Sequence, residues 1–176
     1  TLQEAGIELS EREYFAELIG FDDRGSMSHI FSKNGRKIDD ASLSAIIARK
    51  TAKFRDILAS HEVQPNPGVR ELLAHFHDAK IPMAICSGAL REEIQLMLDG
   101  LNVARFFDII VAAEDVTTGK PDPSGYLLTM DRISKRIART LAPEQCLIVE
   151  DAPSVIRNVR EAGFREFKML DIKSQT

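Results

Sequence analysis

No apolar run in the sequence is long enough to cross a membrane. The longest are about five residues, as in Ile109–Ala113, against the roughly 20 that a spanning helix needs. An excess of positive charge is also lacking. With 23 Lys and Arg against 27 Asp and Glu, the net charge is −4, which argues against a nucleic-acid partner that would need a basic face. Cysteine is scarce. Cys86 and Cys146 belong to neither a CxxC nor a Cys/His metal pattern, and each borders an apolar run, so both are expected to be small buried hydrophobes in a reducing compartment. No basic-then-apolar leader opens the chain, and a cytoplasmic location is expected. Internal repeats and low-complexity segments are absent. The four histidines, His29, His61, His75 and His77, are scattered. His75 and His77 are two apart on a predicted helix and cannot share a metal on one face, so surface or packing roles are expected.

What is present is an ordinary globular balance, 44% hydrophobic and 28% charged over 176 residues, enough for one α/β domain or two small ones. The first 60 residues carry no good strand. Ser10 with Glu13 reads as a capping box opening a helix through Ile19, ended by Gly20. Phe21–Gly25 reads as a turn and Met27–Ser32 as a short helical stretch. A long helix is predicted from about Asp39 to Ala59, with Leu43, Ile46, Ile47, Phe54, Ile57 and Leu58 at helical spacing. The run Gln64-Pro65-Asn66-Pro67-Gly68 cannot continue a helix and marks a domain boundary. Beyond it helix and strand alternate. Helices are predicted at Val69–Ala79 (Leu72, Leu73 and Phe76 inward), Leu90–Leu98, Pro123–Ile137 and Ala152–Ala162. Strands are predicted at Ile81–Cys86, Asp108–Ala113 and Cys146–Val149, with a further short one at Phe167–Leu170. The strands are apolar on both faces, which predicts a parallel sheet covered on both sides, with right-handed crossovers.

Three polar clusters each follow an apolar run: Ser87-Gly88 after Ile81–Cys86, Lys120-Pro121 after Ile109–Ala113, and Glu150-Asp151 after Cys146–Val149. In an open parallel sheet, ligands bind beyond the carboxyl ends of the strands. Ser87 suits a helix N-cap, or a phosphate held by its hydroxyl and the N–H groups of Gly88 and Ala89. Lys120 suits a solvated loop, although Gly119, Pro121 and Pro123 stiffen its surroundings as a fixed phosphate ligand requires. Glu150 and Asp151 suit a helix dipole, or a Mg²⁺ ion that takes one or two carboxylates plus waters and phosphate oxygens. In the long helix, winding at about 100° per residue places Lys50 in the middle of the apolar stripe of Leu43, Ile47, Phe54 and Leu58. Such a lysine either snorkels outward or faces a ligand.

Taken together, residues 63–163 resemble the haloacid dehalogenase-like hydrolase superfamily, and most nearly its subgroup of β-phosphoglucomutases and small sugar phosphatases. The matching stretches are PNPGVRELLAHF, IPMAICSGALREEI, FFDIIVAAEDVTTGKPDP and CLIVEDAPSVIRNVREAGF, in order and at family spacing. The resemblance implies a Rossmann-like α/β core, residues 64–176, and a helical cap domain, residues 1–63. It implies that Ser87 binds phosphate, that Lys120 is the catalytic lysine and that Glu150 with Asp151 holds Mg²⁺. By the same likeness Lys50 reaches substrate from the cap helix, and Arg24 is similar to a cap arginine that grips a distal phosphate. The implied activity is Mg²⁺-dependent phosphoryl transfer on a small phosphorylated metabolite, a sugar phosphate above all, by a phosphatase or a mutase. No nucleic acid or membrane enters, and a monomer is expected. Replacing Lys120 by Ala is expected to abolish turnover with folding largely intact.

The family's first motif, Asp-x-Asp after a hydrophobic strand, does not occur. Phe21-Asp22-Asp23-Arg24-Gly25 is not taken for it, because its acids are adjacent and no strand precedes them. By resemblance Thr1 falls within the cap, so the first strand and the nucleophilic aspartate are expected to precede it, and the chain alone is expected to be inactive. That strand would be central. Its removal leaves rows of backbone groups unpaired at about 1–3 kcal/mol each, so a chain without it is not expected to fold in the family manner by itself. Other departures are Ser124, where the subgroup has Asp, and Ala152-Pro153-Ser154 after the acidic pair. Two alternatives stay open: a haloacid dehalogenase or phosphonatase-type hydrolase, the latter using a Schiff-base lysine such as Lys50 or Lys53, and an inactive domain that binds a phospho-ligand or a protein.

Overall fold

The structure, a computed structural model, describes residue 2, residues 6–60 and residues 64–168. Met169 and Leu170 of the strand expected at Phe167–Leu170 lie outside the described residues, as does His61. The chain opens with α1 (Glu11–Glu13), which continues as a π-helical turn over Tyr14–Leu18. The Ser10 and Glu13 capping box is formed, Glu13 N–H donating to Ser10 Oγ at 3.2 Å and Ser10 N–H to Glu13 Oε2 at 3.1 Å. Helix α2 (Asp23–Lys33) starts earlier than the composition predicts. Asp22 is its N-cap, with Oδ1 accepting from Gly25 N–H at 2.6 Å, so the polar run 22–25 is a first helical turn. Helix α3 (Asp40–Ser60) is capped by Asp39, which accepts from Ser42 N–H at 2.8 Å. Ile7, Leu18, Met27, Ile30, Phe31, Leu43 and Ile46 close over one another as the core of this helical part.

The rest alternates as predicted: α4 (Val69–Asp78), β1 (Ala84–Cys86), α5 (Arg91–Gly100), β2 (Ile109–Val111), α6 (Ser124–Arg136), β3 (Leu147–Glu150), α7 (Pro153–Glu161) and β4 (Arg165–Lys168). Strand β1 pairs with β2 in parallel, Ile85 opposite Ile110, and β3 with β4, Ile148 opposite Glu166. Among the described residues no strand joins the two pairs. Two apolar clusters hold this part. Ile94, Leu98, Val103, Phe106 and Ala112 form one; Tyr126, Ile148, Ala152, Val155, Val159 and Phe164 form the other. Burying a side chain such as Val155 or Val159 contributes about 1.5–3 kcal/mol.

Two expectations need correction. Leu72 is exposed; its neighbour Leu73, about 100° round the helix, is the one that packs on the cluster of Ile94 and Phe106. Leu147 and Val149, which alternation puts on one face of β3, are also exposed; only Ile148, on the opposite face, is buried. The sheet is in two separate pairs. Residues 19–22 pass close to the start of α7, with Ile19 packed against the cluster around Val155. The approach is so close that a Cβ on Gly20 would lie 2.5 Å from that of Ala152. Among the described residues no helix is long and apolar enough to cross a membrane.

Candidate active site

Strand β1 delivers Ser87 to the carboxyl end of the sheet, and the ladder extends by one more bond, Ser87 N–H donating to Val111 O at 2.9 Å. Ser87 is not the helix cap. Helix α5 is capped by Leu90, whose N–H donates to the side chain of Glu93 at 3.1 Å. The Ser87 hydroxyl instead accepts from Ala89 N–H at 3.1 Å, which folds the Ser87-Gly88-Ala89 turn over the strand end. Lys120 comes from the loop between β2 and α6. That loop is pinned by Asp122, which accepts from Ser124 N–H at 2.9 Å, and by Asn158, which donates to Pro121 O at 3.0 Å. Helix α6 has Pro123 at its N-cap and no side-chain cap bond, so Ser124 does not cap it and the Asp122 bond, two residues before Ser124, belongs to the loop.

Lys120 Nζ donates to Glu150 Oε2 at 2.7 Å, with the two side chains 12% and 8% exposed, and lies 4.8 Å from the centre of the Tyr126 ring. The Tyr126 hydroxyl donates to the same Glu150 oxygen, while Glu150 Oε1 accepts from the N–H groups of Asp151 at 3.1 Å and Ala152 at 3.2 Å. Burial pushes the Glu150 carboxyl up, but the ammonium of Lys120 and these hydrogen bonds outweigh it and hold it well below the usual carboxylate range. Asp151 goes the other way, raised by burial and by its acidic neighbour. Burial and Glu150 together raise the Tyr126 hydroxyl far above its ordinary value, so it remains a donor.

Ser87, Gly88, Thr118, Gly119, Lys120 and Asp122 line one hollow, with the Cys86 thiol and Asp22 on its wall. Both Asp22 and Cys86 were missed as lining residues. Asp22 carried one signal, an acid before a helix start. Cys86 carried none. Arg24 and Lys50 do not line the hollow. Arg24 Nη1 bonds Asp40 Oδ1 at 2.8 Å on an exposed surface. Lys50 Nζ bonds Asp23 Oδ2 at 2.9 Å and reaches Glu93 Oε1 at 3.4 Å, tying the helical part to α5. Its stripe position is thus answered by two carboxylates; burial alone would lower its pKa, but they outweigh it and raise it.

The donor set can be tested for a divalent cation. Among the described residues no three His, Cys, Asp or Glu side chains come together as a metal cage. Mg²⁺ does not demand one, since it binds by one or two carboxylates with waters and phosphate oxygens. Asp151 fits that need. The oxygens of Glu150 are engaged by Lys120, Tyr126 and the backbone, which suits it to orienting Lys120.

A family model described as "haloacid dehalogenase-like hydrolase" matches residues 1–168. The chain belongs to that family. Among curated relatives, the fructose-1-phosphate phosphatase of Escherichia coli is 32% identical over 124 residues, 70% of this chain and 61% of that protein. The phosphorylated carbohydrates phosphatase of Thermotoga maritima is 32% identical over 104 residues, 59% of this chain and 45% of that protein. The chain spans about half the length of the curated relatives it matches. Among solved structures, a β-phosphoglucomutase from Clostridium difficile superposes with a TM-score of 0.80 at 20% identity, over 97% of this chain and 74% of that one. That likeness shows the fold, a Rossmann-like core with a helical cap.

Proposed function

We propose that this hydrolase acts, in the Mg²⁺-dependent manner of its family, in phosphoryl transfer on a small phosphorylated metabolite, a sugar phosphate in particular. The observation that carries the reading is the buried Lys120 ammonium, fixed by Glu150 in the same hollow as the Ser87 hydroxyl. A cation held in a low-dielectric site, with donors already oriented, stabilises the charge of a transferring phosphoryl group. Two relatives named as phosphatases of phosphorylated sugars support the substrate class.

In this reading Ser87 Oγ and Gly88 N–H hold phosphoryl oxygens, and Ala89 N–H keeps the Ser87 hydroxyl in place. Lys120 offsets charge on the phosphoryl group. Tyr126 and Glu150 keep Lys120 aimed into the hollow. Mg²⁺, when bound, supplies further charge neutralisation, with Asp151 as its protein ligand. In family chemistry a carboxylate oxygen forms a bond to phosphorus as the ester P–O bond breaks, and water then releases the phosphate. The Asp-x-Asp that provides this carboxylate in the family does not occur in these 176 residues. The phosphonatase-type alternative is disfavoured for Lys50. A Schiff base needs a neutral amine, and Asp23 and Glu93 hold Lys50 charged.

The test is release of inorganic phosphate from hexose and pentose phosphates by the full-length protein with Mg²⁺, alongside Lys120→Ala. Release that requires Lys120 is expected. Release unaffected by Lys120→Ala would overturn the assignment.

A further inference from the structure

Lys120 is held at two points to one unit, the end of β3 and the helix that follows it. Its ammonium donates to Glu150, and the carbonyl of the next residue, Pro121, accepts from Asn158 Nδ2 at 3.0 Å. Asn158 lies in the second turn of α7, on a half-buried flank beside Val155 and Val159. Those two valines are wholly buried and fix the helix on the core, so the amide has a set position. The lysine loop has few bonds of its own with which to fix Lys120. Pro121 and Pro123 have no N–H to donate. Asp122 N–H donates to Gly119 O at 3.2 Å and the Ser124 hydroxyl to Thr118 O at 3.0 Å, bonds that tie the loop to itself and to the start of α6. Inside a helix an asparagine is unfavourable for the helix itself, because its amide competes for backbone partners. The bond to Pro121 O is what Asn158 gains there.

We propose that Asn158 is a positioning residue for the phosphate site. It sets the backbone of the lysine loop against α7, so that Lys120 meets Glu150 and the hollow together. This rests on the reading of Lys120 as the cation that offsets phosphoryl charge. Without the amide the Lys120 and Glu150 pair survives, because a lysine side chain is long enough to follow its partner. Its ammonium is then no longer set against Ser87. A charge displaced within a preorganised site lowers the rate of the chemical step more than it weakens ground-state binding. No covalent step is added.

The experiment follows phosphate release by the full-length protein with Mg²⁺, on the hexose or pentose phosphate that wild type hydrolyses fastest. It is run on wild type, Lys120→Ala, Asn158→Leu and Asn158→His. Leucine keeps the volume of the amide without a donor, and the Nδ1–H of histidine lies where the amide nitrogen does. Asn158→Leu is expected to lower kcat about ten- to a hundredfold with KM within about threefold of wild type. Asn158→His is expected to recover most of that loss. A wild-type kcat in Asn158→Leu, with Lys120→Ala inactive, overturns the positioning role while the lysine reading stands. A loss carried by KM alone, or one that histidine does not recover, makes Asn158 a packing residue and also overturns the proposal. Absence of turnover in wild type, or turnover indifferent to Lys120→Ala, overturns the lysine reading and the proposal together.

Discussion

Lys120 donates to Glu150 at 2.7 Å with both side chains nearly withdrawn from water. A solvated loop lysine is replaced at little cost. Breaking a buried pair on one side strands the other charge, at about 3–5 kcal/mol. Lys120→Ala is therefore expected to lower the urea midpoint as well as to abolish phosphate binding. This revises the sequence expectation of largely intact folding. The double variant Lys120→Met with Glu150→Gln is expected to regain most of the stability and none of the binding, because no uncompensated charge remains. A single-variant loss below about 1 kcal/mol in urea unfolding would contradict the buried pair.

The acidic pair sets a pH dependence. Glu150 is held below its ordinary range in the folded protein. Its contribution is fully present above the unfolded carboxylate pKa and is lost as pH falls through the folded one. Asp151 is raised, so it opposes folding at neutral pH and that penalty is relieved in acid. Glu150→Gln removes the neighbouring charge, and the Asp151 titration followed by carboxyl ¹³C NMR is expected to move downward. An unmoved Asp151 would mean that burial alone raises it.

Lys50 joins the helical part to the core through Glu93, whose side chain is 1% exposed. Lys50→Met leaves Glu93 without its partner. The cost expected in urea unfolding is about 1–3 kcal/mol, below that of a fully buried pair because Lys50 is 33% exposed. Hydrogen exchange is expected to rise along α3 while β1 and β2 remain protected. Equal loosening of both would place Lys50 in the global core instead of at the junction.

Much of the fold was legible because its signals are local. The Ser10 and Glu13 box, the Pro-Gly boundary at residues 64–68 and the alternating apolar runs each specify an element through its own chemistry. The anomaly at Lys50 was legible too, since helical spacing alone puts it on an apolar stripe. Its answer was not, because Asp23 and Glu93 are 27 and 43 residues away. The same holds for Asp22. Its N-cap role is a short-range signal, but the niche that receives it is built from Gly88 and Gly119, brought close only by the packing of the sheet. Leu72, Leu147 and Val149 show the converse: apolar character predicts a preference for burial but not which neighbours supply it.

The close approach of residues 19–22 to the start of α7 has its own test. Gly20 has φ +86, and a Cβ there would lie 2.5 Å from Ala152 Cβ and 2.9 Å from Val155 Cγ2. Gly20→Ala therefore combines left-handed backbone strain with overpacking in a tight cluster. The expected cost is about 2–4 kcal/mol. Gly35 separates the two effects, since its φ is +66 and nothing lies within 4 Å of a Cβ there. Gly35→Ala is expected to cost about 1–2 kcal/mol, the strain alone. The difference between the variants in urea unfolding then measures how closely the segment packs on α7. Equal losses would mean that Gly20 meets open space and that the segment does not pack on α7.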